Sequence, residues 1–200
     1  MTQRLLIIGQ SGGTHLGQSF VDASSQLGIT TEIVSPGLAY GGSRLWRSAN
    51  WHLMKRRPST YSVFERHVLN AVESFKPTVA LVTGLVPLSP ALFTAFKTFG
   101  TTTANFVTDD PFNPAHLSPR FLASLQRYDF VLTPRQANRI QLYEAGARRV
   151  CDLHFGYDPR HVQSDGSTPL KRSDSVLFVG GADKDRSAIL RPLCDSGVSV

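Results

Sequence analysis

The chain has 200 residues, 41% of them hydrophobic and 18% charged, and its 21 Lys and Arg against 15 Asp and Glu give a formal net charge of +6. That composition supports one globular domain with a sizeable core and room for the start of another, and it excludes a largely disordered chain. No stretch reaches the roughly 18 apolar residues of a spanning helix, and Cys151 and Cys194 form neither a CxxC nor a metal-ligand pattern, so neither a disulfide framework nor a protein-bound metal is expected.

The first residues, Met1-Thr2-Gln3-Arg4, lead straight into a short apolar run over 4–8 that ends at Gly9. Such a run reads as a buried parallel strand. A signal peptide would carry a longer apolar stretch and a small-residue cleavage site, so a reducing cytoplasm is expected. A glycine-rich turn follows, then a helix pattern through Phe20, Val21 and Leu27 that closes at Gly28. Residues 30–34 are β-branched and predict the second strand. Over 60–76, Phe64, Val68, Val72 and Phe75 recur near helical spacing, and Ser62 with Glu65 has the spacing of a capping box. Residues 78–83, 102–107, 129–132 and 149–154 predict further strands.

Ser89-Pro90, Ser118-Pro119 and Thr133-Pro134 each place a hydroxyl before a proline. The hydroxyl can accept from an orphan N–H, and proline has no N–H to leave unpaired at the first helical position. Gln136 completes a capping box after Thr133, and Gly146 suits a left-handed C-cap. The alternation of strand and helix predicts right-handed crossovers, hence a doubly wound, mostly parallel α/β sheet. Composition changes near residue 155. Residues 158–172 are rich in Pro, Gly, Ser and charge and read as a linker, so the expected division is 1–155, 156–174 and 175–200. Residues 175–179 again read as a buried strand before Gly180-Gly181, 186–193 as a helix, and 198–200 as the start of another strand. These residues read as the start of a second Rossmann-like unit or as an addition to the first sheet.

Four segments offer chemistry. The turn Gly9-Gln10-Ser11-Gly12-Gly13-Thr14-His15-Leu16-Gly17 lies where a strand opens into a helix, so Gly12 and Gly13 could bring backbone close to an anion. The spacing is not GxGxxG, and no acid ends the second strand, so a dinucleotide site is weakly supported against a ligand-free turn. His15 in that turn is a candidate base or a solvent-exposed side chain. Thr108-Asp109-Asp110-Pro111-Phe112-Asn113-Pro114 follows a strand; Asp109 and Asp110 can accept from hydroxyls or hold a proton, or serve a turn and cap. Residues 41–58 hold Arg44, Arg47, Lys55, Arg56 and Arg57 with Trp46 and Trp51, and no acid falls between Glu32 and Glu65. That segment suits an anionic membrane surface or a phosphorylated acceptor, or is a solvated helix covering the sheet edge; no recognised nucleic-acid motif accompanies it. Last, Gly180-Gly181 with Lys184 and Arg186 can hold a diphosphate.

In their order these landmarks resemble a glycosyltransferase of the GT-B fold, and most closely the front half of the spore-maturation CgeB-like family. The pieces are Leu5-Leu6-Ile7-Ile8-Gly9, Phe75-Lys76-Pro77-Thr78-Val79, the Thr108–Phe112 loop, Tyr128-Asp129-Phe130-Val131-Leu132-Thr133, Tyr143-Glu144-Ala145-Gly146-Ala147, His154-Phe155-Gly156-Tyr157-Asp158-Pro159, and Val176-Leu177-Phe178-Val179-Gly180-Gly181 with Asp185-Arg186. The resemblance implies two Rossmann-like domains across a cleft. Residues 1 to about 155 would contact the acceptor, Gly156 to Asp158 would form the hinge, and Val176 onward would begin the domain for a nucleoside diphosphate sugar donor. It implies sugar transfer to a hydroxyl or similar acceptor without a bound metal or cofactor. Gly180, Gly181 and Arg186 would lie at the departing diphosphate, and His15, Asp109 and Asp110 would orient or deprotonate the acceptor. The family's acidic donor motif would fall after Val200, and the Gly-Gly-Thr-His of the first turn matches no family catalytic residue. Rival readings are a non-catalytic acceptor- or partner-binding fragment, a nucleotide-sugar epimerase of the same fold, and a nucleotide- or flavin-binding module.

Overall fold

A computed structural model describes residues 3–13, 15–54, 58–157, 175–178, 180 and 184–199, without the side chains of Trp51 and His52. The chain divides into two compact units, Met1–Asp158 and Pro159–Val200.

The first unit is built on six parallel strands: β1 (Arg4–Ile8), β2 (Thr30–Val34), β3 (Val79–Thr83), β4 (Thr102–Phe106), β5 (Phe130–Thr133) and β6 (Val150–Asp152), in the order β2-β1-β3-β4-β5-β6. Helices α1 (Leu16–Gln26), α2 (Arg44–His52), α3 (Tyr61–Phe75), α4 (Pro90–Thr98), α5 (Pro119–Leu125) and α6 (Arg139–Glu144) occupy the connections. This is the doubly wound α/β architecture that the alternation predicts. The chain leaves β1 toward β2, then returns past β1 to β3, so the strand order reverses between β1 and β3. That reversal opens a crevice at their carboxyl ends.

Side-chain alternation divides the core between the two faces. Leu6 and Ile8 pack with Phe64 and Val68 of α3, Leu92 and Phe96 of α4, and Phe121 and Leu125 of α5. Ile7 and Phe106 are buried outside that cluster; Phe20 of α1 meets the Phe106 ring edge-on at 6.3 Å and Phe155 lies 5.6 Å from it.

Two of the three hydroxyl-proline starts form as expected. The Ser89 hydroxyl accepts from Leu92 N at 3.3 Å and the Ser118 hydroxyl from Phe121 N at 3.4 Å. Thr133 is different. It ends β5, and its hydroxyl accepts from Arg135 N at 3.1 Å, closing a turn before a short 3-10 segment, Gln136–Asn138. No helix starts at Pro134, so Gln136 completes no capping box. The Ser62–Glu65 box does not form either. The N-cap of α3 is Thr60, whose hydroxyl donates to Leu38 O at 2.7 Å, while the Glu65 carboxylate accepts from Ser89. A carboxylate reaching across to the next helix serves two elements, which spacing along one element does not reveal. Gly146 takes the left-handed conformation, φ +96°, after α6.

In the second unit, α7 (Lys184–Asp195) extends past both ends of the expected 186–193 helix and buries no residue. The expected strands do not form among the described residues: 175–178 and 198–199 are irregular, joined by one bond from Val176 N to Ser199 O at 2.8 Å. A single β-α piece has no neighbouring strands to complete a ladder. The linker 158–174, Val179 and Val200 lie outside the described residues. Among the described residues no helix is long and apolar enough to cross a membrane, and both cysteines are free and exposed.

Candidate functional site

A cavity of about 430 Å³ opens in the crevice at the reversal of strand order. Each wall comes from a different connection. Gln10 follows β1, Pro36 and Tyr40 follow β2, Thr83, Leu85 and Val86 end and follow β3, and Asp109, Ala115, His116 and Ser118 follow β4. Parallel strands end together, so residues distant in sequence meet at one edge.

The polar groups are held by local bonds. The Ser35 hydroxyl accepts from Gly37 N at 3.2 Å and donates to Gln10 Oε1 at 3.1 Å. This fixes the Gln10 amide and leaves its Nε2 as a donor. Asp109 is exposed; its Oδ2 accepts from the Thr108 hydroxyl at 3.3 Å, and its other oxygen has no partner among the described residues. His116 is exposed and its backbone is fixed by a bond from its N–H to Asn113 O at 2.8 Å. Apolar Pro36, Leu85 and Val86 complete the walls. An amide donor, a carboxylate and an imidazole over an apolar floor suit a small ligand rich in hydroxyls, and the two titratable groups can take up a hydroxyl proton.

The structure separates the two adjacent carboxylates. Asp109 lines the cavity. Asp110 Oδ1 accepts from Phe112 N at 3.0 Å and from Asn138 Nδ2 at 2.6 Å, tying the loop to the segment before α6. His15 is the N-cap residue of α1, exposed, makes no capping bond with its side chain, and is not among the residues lining the cavity. Gly12 and Gly13 have φ of +83° and +53°, and an added Cβ at either would meet nothing within 4 Å. The Gly12 N–H is taken by Gln18 Oε1 at 3.1 Å. In the second unit, an added Cβ on Gly180 would lie 2.9 Å from the Phe178 ring and 3.5 Å from Arg186 Nη1. Gly180 and Arg186 therefore lie close together; Gly181 lies outside the described residues. Thr14 and the cations Lys55, Arg56 and Arg57 also lie outside them, as does the Trp51 side chain. Among the described residues no three His, Cys, Asp or Glu gather as a metal site.

Sequence reasoning missed Gln10, Tyr40 and His116. Gln10 sits inside the glycine turn and His116 only seven residues after Asp109, but nothing along the chain joins them. The signal that could have found them is the carboxyl-edge rule applied to all four connections at once.

Two other cavities lie elsewhere. One of about 550 Å³ takes in the residues leading into β4, Gly100–Thr103, with Lys97, Arg127 and Arg148; there Asp129 Oδ2 is committed to Thr103 N at 2.8 Å and its hydroxyl at 2.9 Å. The second, about 390 Å³, lies among Tyr61, Ser89, Arg120 and Arg127. Beneath the helices the Tyr61 and Tyr128 hydroxyls are buried without a hydrogen-bond partner of standard geometry. Burial pushes the Tyr61 phenol up to about 12, offset only in part by the nearby Ser89 hydroxyl, and pushes Tyr128 higher still. Unfolded tyrosines lose their protons first, near the ordinary value of 10.0, so stability is intact below that pH and falls as pH rises through the folded values. Spectrophotometric titration should therefore show tyrosinate forming only as the fold is lost for these two. Complete ionisation near pH 10 with the fold intact would contradict their burial.

No family model and no curated protein matches the chain.

Proposed function

We propose that the chain is the acceptor-binding portion of a sugar transferase, one that moves a sugar from a nucleoside diphosphate sugar to a hydroxyl-bearing acceptor. The observation that carries this reading is the cavity between the carboxyl ends of β1 and β3, where Gln10, Asp109 and His116 converge on one small volume. A hydroxyl placed there can donate to Asp109 and accept from Gln10 Nε2. Asp109 or His116 can then take its proton as the oxygen attacks the anomeric carbon and the nucleoside diphosphate departs. In the second unit, Arg186 beside Gly180 is a cation suited to a diphosphate. Two free, exposed cysteines suit a reducing cytoplasm.

Amide chemical-shift mapping tests this. A panel of mono- and disaccharides should move the resonances of Gln10, Thr83, Asp109 and His116. Nucleoside diphosphate sugars should move those from Gly180 to Arg186 and leave the cavity unchanged. Nucleotide sugars binding at Gly12 and Gly13 would assign the donor to the first unit and overturn the division of roles. An epimerase of the same fold needs no separate acceptor, so a cavity silent to every saccharide would favour that reading.

A further inference from the structure

Helix α2 is amphipathic in the wrong sense for a helix that only covers a core. Leu45 is 84% exposed and Leu53, at its C-cap, 82%; Trp46 and the following Met54 are about half exposed. Leu45, Ala49 and Leu53 recur every four residues and so form one line along the helix. The helix is tethered along the neighbouring Trp46–Asn50 side. Asn50 is buried and donates from Nδ2 to Trp46 O at 2.9 Å, the Trp46 indole N–H donates to Ser59 O at 3.4 Å, and the Ser43 hydroxyl caps the helix by accepting from Trp46 N at 3.3 Å. Ser59 and Thr60 in turn hold Gly41, through bonds of 2.6 Å to its carbonyl and 2.8 Å from its N–H. The Trp46 indole thus ties the helix to the same Ser59-Thr60 segment that holds Gly41.

Charge identifies what they meet. Arg44 and Arg47 lie on the side of the helix away from that line, both exposed and neither paired with a carboxylate among the described residues. No acidic residue occurs in the sequence between Glu32 and Glu65. A second copy docking by this face would bring two cationic segments without acids close together, which like-charge repulsion opposes. An apolar line on one side of a helix with cations on the other is the pattern of a helix lying in the interface of an anionic bilayer. We infer that α2 docks the protein on an anionic lipid surface: Leu45, Trp46, Leu53 and Met54 enter the boundary between headgroups and acyl chains, while Arg44 and Arg47 meet lipid phosphates. Tyr40, a wall of the carboxyl-edge cavity, lies four residues before Arg44, within about 14 Å by chain length. Docking thus holds that edge of the sheet close to the lipid. The inference stands on α2 alone and does not depend on the sugar-transfer reading.

Co-sedimentation with vesicles tests it. The chain should bind phosphatidylcholine vesicles containing phosphatidylserine and not vesicles of phosphatidylcholine alone, and added salt should release it. Arg44→Gln with Arg47→Gln should weaken partitioning by about tenfold or more, since each surface cation contributes roughly fivefold. Leu45→Ser with Leu53→Ser should weaken it at least as much while leaving the melting temperature unchanged, because both side chains are exposed. Indole emission should shift to the blue on vesicle binding. Equal binding to neutral and anionic vesicles, no binding to either, or unchanged binding by both double variants would overturn the inference. So would a concentration-dependent dimer, seen by sedimentation equilibrium, that the leucine pair abolishes in a protein indifferent to vesicles.

Discussion

Gly17→Ala should destabilise the first unit by about 3 kcal/mol, at the upper end of what overpacking costs. For a unit of this size that is a fall in melting temperature of about 6–12 °C. A Cβ on Gly17 would stand 2.4 Å from Gln10 O, 3.1 Å from Gly9 C and 3.2 Å from Gln10 C. All three are backbone atoms, so no rotamer change relieves the clash; either the start of α1 or the turn after β1 must move. The ordinary advantage of alanine over glycine in a helix, about 1 kcal/mol, works in the opposite direction and is too small to prevail. Gly9 faces the same contact from the other side, with Gly17 Cα 3.3 Å from its own Cβ position. Gly12→Ala makes the control. Nothing lies within 4 Å of its Cβ position, so only the positive φ is strained, at roughly 1–2 kcal/mol. Thermal melts of both variants separate the two causes. If Gly17→Ala melts with the wild type, the close packing of β1 against α1 is wrong. The expected result explains two of the turn's four glycines by helix-strand packing and two by backbone conformation, so the glycines by themselves argue for no ligand.

That turn illustrates what a sequence can and cannot convey. Short apolar runs ending in glycine or turn residues mark buried parallel strands because both faces of such a sheet are covered, and β1 and β3 are legible on that ground, β2 from its β-branched residues. Ser89 and Ser118 are legible as caps because the hydroxyl and the orphan N–H lie within three residues. Thr133 has the same local signature, but β5 runs through it and its hydroxyl serves the very next turn. Glu65 bonds Ser89, 24 residues away, and Asp110 bonds Asn138, 28 residues away; local spacing is blind to both. The cavity was half legible. Asp109 follows from the rule that ligands bind beyond the carboxyl ends of strands. Its partners Gln10 and His116 depend on β1 lying beside β3, a strand order that hydrophobic pattern does not specify. The twin aspartates look equivalent in sequence because successive residues of a turn carry no periodicity to tell them apart.

Those two aspartates give the second large effect, as a double dissociation. If the proposed sugar transfer holds, Asp109→Asn in the full-length transferase should lower it by about 100-fold, the lower end of what a positioned acid-base group supplies, because the amide still accepts a hydrogen bond but cannot take a proton. Its melting temperature should match the wild type: the side chain is exposed and its one bond, from Thr108 at 3.3 Å, contributes little. Asp110→Ala should do the reverse to the fold. It removes the acceptor for both Phe112 N and Asn138 Nδ2 and should cost about 1.5–3 kcal/mol, the range for bonds to a charged group. Transfer should fall only as far as the loosened loop misplaces Asp109, and Asp110→Asn, which keeps an acceptor oxygen, should recover most of the stability. Parallel melts and product assays across the three variants read the outcome. Full turnover by Asp109→Asn would remove it from the chemistry and leave His116 as the cavity's proton acceptor. A stable Asp110→Ala with lost turnover would exchange the roles assigned to the pair, placing Asp110 against the substrate and making its bond to Asn138 a feature of the unliganded loop.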